Sequence, residues 1–516
     1  MRLHLGDKDE YIPDILGGNG GEFHNVEIST IKILNFRELL PYCCRQLLRS
    51  IATTHHGKLF MVATYTPSAE KQEASTRALP RHLRRLHFFA GIICAPLIFI
   101  ASLTGLGYAF GPSLDKAVYS EAINVTPSGD ELPLERIVDI ARATHPDLEL
   151  AGVRVGNPDQ ATRVMFNDPT LPKSTTQAVF VNQYTGDITG DMPQYGGSAA
   201  LPIRHWLSLG HRDLWLGEPG RLYSETAASW LGVLAVSGVY LWWKRQRKAG
   251  RLAAMLRIDG RGRTRNLRWH GAIGTLVAAG MIFLTITGLT WSSVAGDNIR
   301  SVRTALNWTT PSVSTALGAA AEQTPADPHA EHGGHSGHHA HMAALDVSEQ
   351  AQRVATTAAG ELRTPFTVKP PKEDGHAWTA AEDRVAYRLT YDALAVDGSN
   401  GQVTDRVDFE QWSLPTKLTA WLIELHMGTL LGVPNQIALG LLAIGLLILV
   451  VRGYLLWFQR RGTAWVGSAP ARSVDGVRGY GALGWIGVAA MVIYGVVAPL
   501  FGITCVAFLI CSMLKK

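Results

Sequence analysis

The sequence predicts an α-helical membrane bundle of about five spans, each near the 20 residues a bilayer requires, with two α+β domains on its outer side. Three observations lead there. Of 516 residues, 47% are hydrophobic, too many for an ordinary soluble enzyme and too few for a bundle with no polar domains. Two apolar stretches repeat each other, LHFFAGIICAPLIFIASLTGL from Leu86 and WHGAIGTLVAAGMIFLTITGL from Trp269, both fitting H-x3-G-x12-T-G-L. A second pair, HRDLWLGEP from His211 and HMGTLLGVP from His426, fits H-x5-G-x-P, and each precedes a further apolar run. The membrane part is therefore read as a duplicated unit.

The expected spans lie at 88–110, 225–243, 270–291, 436–458 and 484–512, the last interrupted by Pro499, which favours a tilt or kink. Residues 244–268 carry ten Lys and Arg against one acid, Asp259, and 77–85 and 460–478 are also basic. Basic flanks mark the cytoplasmic side, which places 111–224 and 292–435 outside. The chain then divides into a cytoplasmic leader (1–79), a first span (80–110), a first outer domain (111–224), two spans with their basic loop (225–291), a second outer domain (292–435) and two closing spans (436–516). The leader lacks a signal-peptide pattern, Met61 begins a natural cytoplasmic leader, and residues 1–60 are expected to be dispensable. An outside C-terminus would place Lys515 and Lys516 against the charge rule, a conflict that a re-entrant end would remove.

The outer segments also resemble each other. Each opens on a helix-like stretch (132–146 and 346–360) and closes on strand, turn, strand (177–191 and 386–407), with Thr185-Gly186-Asp187 and Ser399-Asn400-Gly401 as turns. Within the second, residues 318–344 form a Gly/Ala/His-rich insertion with His329, His332, His335, His338, His339 and His341. The expectation is a low-complexity loop, with the last five as a weak optional metal site.

Four histidines carry the chemistry. Histidine is costly near lipid and is retained for a ligand or a proton. One at a helix end reads as an interfacial anchor, but matched positions in two repeats outweigh that reading. His87 with His270 would form a pair at the cytoplasmic border, and His211 with His426 a pair on the outer side, as two axial imidazoles of a bound haem require. Gly91, Gly105, Gly274 and Gly288 would leave room for a flat macrocycle. His205 is the substitute ligand should the pairing fail, whereas His82, His145 and His376 have no counterpart in the other repeat. Tyr240, Trp242, Trp243, Tyr454 and Trp457 read as an interfacial aromatic belt.

Several function classes are excluded or disfavoured. The five cysteines avoid the outer segments and form no CxxC motif. No phosphate-binding glycine motif is present, so any electron donor would be external. The net charge of +5 comes from residues beside apolar runs and does not argue for nucleic acid. A permease would need buried carboxylates or broken helices that the spans lack.

The repeated LH-x3-G…TGL and H-x5-G motifs, the Tyr-Leu-x-Trp run ends before basic residues, and the twin outer segments resemble the PepSY-associated transmembrane family of iron-regulated membrane proteins, over about residues 80–513. The resemblance implies a multi-pass bacterial inner-membrane protein with two periplasmic PepSY-like domains. It further implies about two haems b on His87, His211, His270 and His426, and a ferric-siderophore reductase fed by a quinol or a cytosolic reductase. The substrate would dock between the outer domains near His211 and His426, with Trp206, Trp215 and Trp412 as candidate contacts, although core packing is the stronger reading for each of the three. The competing expectation is a non-enzymatic membrane anchor whose PepSY-like domains bind a periplasmic protein. Bound haem separates the two.

Overall fold

The computed structural model describes residues 69–247, 252–317, 346–460 and 482–514. Of the leader expected over 1–79, residues 1–68 lie outside the described residues, as do the five histidines of the optional metal site and the basic run after Arg460, whereas 69–79 are helical and open α1 rather than belonging to an unstructured leader. In chain order the elements are α1 (Ala69–Ala109), α2 (Gly111–Val118), α3 (Leu134–Thr144), β1 (Glu149–Val155), β2 (Thr162–Asn167), β3 (Thr175–Val181) and β4 (Ile188–Tyr195). Next come α4 (Pro202–Asp213), α5 (Glu218–Arg247), α6 (Gly262–Thr290), α7 (Val294–Ala305) and α8 (Asp346–Glu361). The chain continues with β5 (Phe366–Lys369), β6 (Trp378–Glu382), β7 (Ala393–Val396) and β8 (Val403–Val407). It closes with α9 (Leu414–Met427), α10 (Val433–Phe458), α11 (Ala482–Val497) and α12 (Pro499–Leu514).

Among the described residues, four helices are long and apolar enough to cross a membrane: α1 from Leu79, α5, α6 and α10. Each of α1 and α6 packs on both α5 and α10, so the four form a ring in which α1 and α6 face each other across a diagonal. Small residues Ala90, Ala227 and Ala235 bring the backbones together around Trp230, Leu231, Leu446 and Leu449. Apolar side chains such as Leu276, 75% exposed, point outward, as a lipid-facing surface requires. Pro96 lies inside α1 and cannot donate to the Ile92 carbonyl one turn earlier. The Tyr454 hydroxyl donates to that carbonyl instead, at 3.1 Å. Trp242 also departs from the expected belt: it is buried, and its indole N–H donates to Met255 O at 2.8 Å.

The expected fifth span is two helices rather than one. Pro499 opens α12, and α11 and α12 have 16 residues each, about 24 Å of helix against a hydrocarbon core of about 30 Å. They fold on each other where Gly495 and Gly502 meet; a Cβ on Gly495 would lie 3.2 Å from the Gly502 Cα. At the tip, Asn298 of α7 donates to Val497 O at 3.2 Å. Along the sides, Tyr494 donates to Ser229 O and Trp230 to Thr504 Oγ1, at 2.8 and 2.9 Å. Phe508 reaches Phe89 near the start of the apolar part of α1, 5.6 Å between ring centres. Thus α12 returns toward the basic end of the bundle.

The two outer segments do not fold as separate domains. Their strands join in one antiparallel sheet ordered β4-β3-β2-β1-β5-β6-β7-β8. The seam is β1 with β5, where Val153 faces Val368 and Val155 faces Phe366. An edge strand exposes unpaired amides, and each half covers the other's edge. Helices α3 and α8 lie together on one face, sharing a core with Val138, Ala141, Val153, Phe166, Ala351, Val354 and Phe366. Ser348 of α8 donates to Asp139 of α3 at 2.7 Å. The expected turns hold, with Gly186 and Gly401 at φ +80° and +77°. In the second segment the strands begin later than expected, because 386–391 runs as a loop ahead of β7.

Candidate functional site

The H-x5-G-x-P motif is a helix–turn–helix joint. Helix α4 ends at Asp213, Leu214 and Trp215 adopt left-handed backbone, Gly217 follows at φ +64°, and Pro219 sits in the first turn of α5. In the second repeat Gly428 and Gly432, at φ +76° and +58°, do the same before Pro434 in the first turn of α10. The joint places His211 and His426 one turn or less from the end of a short helix, lodged against the sheet-side ends of α1 and α6.

The four histidines form the two expected pairs. His87 and His270, on the diagonal helices α1 and α6, have ring centres 6.3 Å apart with planes at 84°. His211 and His426 are 6.4 Å apart with planes at 45°. The seventeen-residue step from His87 to Thr104, which touches His211, corresponds to about 25 Å of helix. The pairs therefore lie toward opposite ends of the bundle.

Every ring is held by Nδ1. His270 Nδ1 lies 3.2 Å from Leu449 O and His211 Nδ1 lies 3.1 Å from Ala101 O, contacts that require the nitrogen to donate. His87 Nδ1 is 3.0 Å from Ser237 Oγ, whose own proton goes to Leu234 O. His426 Nδ1 is 2.6 Å from Thr287 Oγ1, whose proton goes to Phe283 O. In each case the neutral tautomer with the proton on Nδ1 fits, and the lone pair falls on Nε2. None of these Nε2 atoms has a hydrogen-bond partner among the described residues. Burial lowers the pKa of both sheet-side imidazoles, and for His426, with His211 beside it, to about 3. Burial thus favours the neutral ring, the state a metal ligand needs.

Glycines seat the rings. A Cβ on Gly105 would come 2.9 Å from His211 Cε1, and one on Gly238 would come 2.9 Å from His87 Cε1. Gly453 and Gly288 play the same part more loosely, at 3.7 Å from His270 and 4.0 Å from His426. This corrects the expectation that Gly91, Gly105, Gly274 and Gly288 all clear a macrocycle: Gly105 and Gly288 back imidazoles, and Gly274 meets Leu449 at 3.6 Å. Only at Gly91 would a Cβ meet nothing within 4 Å.

Two imidazoles on opposite sides of one metal ion would stand about 6.4 Å apart between ring centres, from bonds of about 2.0 Å and a ring radius of about 1.2 Å on each side. Both observed separations match, and any interplanar angle is allowed because each ring turns about its own metal–nitrogen bond. Among the described residues no cluster of three or more His, Cys, Asp or Glu is placed to hold a metal. Each pair thus offers two imidazole donors.

A cavity of about 2060 Å³ opens above the sheet-side pair. Its floor includes His211, His426, Leu231 and Leu446, and its roof is the face of the sheet turned away from α3 and α8, with Arg154 and Arg163. Tyr108 stacks parallel to His211 at 6.1 Å, and Trp291 stands edge-on to His426 at 6.0 Å. The expected tryptophan contacts lie elsewhere. Trp206 and Trp215 are half exposed and rest on each other at 4.6 Å, and Trp412 is buried beside Phe409. His205 stacks on Tyr195 at 4.2 Å, away from the pairs.

Sequence reasoning missed Ser237, Gly238, Leu449 and Gly453. The offset relating His211 to His426 also relates Gly238 to Gly453 and Leu234 to Leu449, so a repeat alignment carried through the helices contains that signal. The family model for the PepSY-associated TM region matches residues 84–460, and no curated protein matches the chain.

Proposed function

The chain belongs to the PepSY-associated TM region family, and from that premise we propose that it is a membrane haem b protein that passes electrons through its bundle to reduce a ferric siderophore on the sheet side. The observation that carries this reading is the ring-centre spacing of both histidine pairs, 6.3 and 6.4 Å, with all four Nδ1 atoms engaged. Two imidazoles are too few for a structural zinc site, which takes four protein donors, and suit a metal whose other ligands come from a macrocycle.

His87 with His270, and His211 with His426, would hold one haem each. Haem bound between such imidazoles supplies reversible one-electron transfer. Ser237, Thr104, Thr287 and the carbonyls of Ala101 and Leu449 keep the rings oriented and raise the basicity of Nε2. The sheet-side cavity receives the ferric complex over His211 and His426. One electron converts its iron to the ferrous form, which hard oxygen ligands hold less tightly. The basic flank of the bundle is the cytoplasmic side, where a quinol or a soluble reductase would deliver electrons to the His87 end.

The test is an absorption spectrum of the detergent-solubilised full chain, oxidised and dithionite-reduced, with a pyridine haemochrome count. A low-spin b-type spectrum with two haems per chain is expected. Single H87A and H211A variants should each lose one, and the fourfold His→Ala variant both. A colourless wild-type chain expressed with ample haem would instead favour a non-enzymatic anchor that binds a partner protein through its sheet.

A further inference from the structure

Arg163 and Arg204 meet the cavity in an unusual state. Arg154 and Arg163 stand directly opposite each other on β1 and β2, a like-charge pair that costs stability. Arg154 is answered by Asp383, with its Nε 2.5 Å from the carboxylate. Arg163 has no such acid: its Nη1 donates to Gln194 at 3.1 Å, its guanidinium lies 4.5 Å over the Phe180 ring, and its Nε has no partner. Burial, then Arg154, pushes its pKa down to about 9. Arg204 is as deeply buried, and Nε and Nη2 both lack acceptors. Among the described residues the acid paired with it is Asp115, 3.9 Å from Nη1 and outside hydrogen-bond range. Asp115 Oδ2 accepts from the Leu201 N–H at 3.1 Å, and its Oδ1 has no partner among the described residues.

Burying a guanidinium without a paired carboxylate is expensive, and here two line one cavity. We propose that Arg163 and Arg204 form a carboxylate-binding site in the sheet-side cavity. The planar guanidinium fork matches a carboxylate in geometry, and the free Nε of each residue is an edge donor for such contacts. Arg204 and His211 are seven residues apart on α4, two turns on one face and about 10 Å along the axis. A carboxylate held at Arg204 therefore places the rest of its molecule over the His211–His426 pair. That carboxylate belongs either to a soluble ligand entering the cavity or to a side group of a macrocycle held by the pair; only the second source rests on the haem reading.

The experiment uses the full chain in detergent with R163Q and R204Q, and K116Q as a variant of another cation lining the cavity. Calorimetric titration with the gallium(III) citrate complex, which accepts no electron under these conditions, reads the soluble source. The rate of haem loss to apomyoglobin reads the macrocycle source. For the soluble source, R163Q and R204Q weaken gallium citrate binding at least tenfold and K116Q changes it less than twofold. For the macrocycle source, haem loss accelerates at least tenfold in the same two variants. R163K and R204K, which keep the charge but lose the fork, should recover part of the effect and show that the fold is intact. The proposal is overturned if both Gln variants behave as wild type in both titrations, or if K116Q loses as much as they do. A chain that binds gallium citrate through both arginines but carries no haem would refute the reductase reading and leave this site standing.

Discussion

At the scale of the residue, the geometry turns on nitrogen atoms that ligate nothing. The Nδ1 partners Ser237, Thr104, Thr287, Ala101 O and Leu449 O set the tautomer of four imidazoles. Removing such a partner typically costs ten- to a hundredfold in metal affinity. Thr287→Val keeps the shape and deletes the 2.6 Å contact to His426. Haem loss from that chain, followed by transfer to apomyoglobin, should accelerate by about ten- to a hundredfold, and an unchanged rate would separate Thr287 from ligand function. The glycines divide in the same way. Gly238→Val would press on His87 from 2.9 Å and, on the proposed two-haem reading, should remove one haem, whereas Gly274→Ala makes an ordinary contact at 3.6 Å and should remove none. Pyridine haemochrome counts on both variants check this.

At the scale of the element, the sheet seam and the C-terminal hairpin matter most. Glu382, at the end of β6, is buried, and burial alone would raise its pKa. The Arg363 guanidinium and the amides of Arg363 and Asp392 outweigh that and hold it below the usual carboxyl value. A depressed carboxyl contributes stability that is present above the unfolded-chain value, near 4.5, and is lost as pH falls through the folded one. Thermal melting followed from pH 6 to pH 3 should fall below about 4.5, and Glu382→Gln should be less stable at pH 6 with a flatter acid limb. An identical acid limb in wild type and variant would show that another group governs it.

At the scale of the whole molecule, the two repeats meet twice, in the helical ring and in the sheet. The same pseudo-symmetry that places α1 opposite α6 places β1 beside β5. One hollow therefore opens between the membrane part and the sheet, with a histidine pair at its floor and arginines in its roof. The hairpin of α11 and α12 turns the chain back toward the basic end. A reporter fused after Lys516 should lie on the same side as one inserted in 244–268 and opposite one inserted in the sheet. Protease or thiol accessibility in sealed vesicles decides, and a C-terminus on the sheet side would refute the hairpin.

The duplication, the four long helices and the four histidines are legible in the sequence because each is a local pattern: apolar length, a repeated motif, a costly side chain in lipid. The joint at Gly217 and Gly432 is legible for the same reason, since a positive φ before a helix-opening proline leaves a glycine in the motif. Other features depend on which elements become neighbours. Alternation in β1 and β5 looks the same whether the edge is bare or paired, so the merger of two domains into one sheet has no signature. Backbone carbonyls such as Leu449 O and Ala101 O carry no side-chain identity, so the atoms that orient His270 and His211 are invisible before the helices pack. Arg163 and Arg204 read as ordinary surface arginines until β2 and α4 converge on one cavity. The sequence by itself determined which residues had chemistry to offer; the tertiary structure decided which of them face one another, because pairing across a bundle diagonal or a sheet seam follows from packing between segments far apart in the chain.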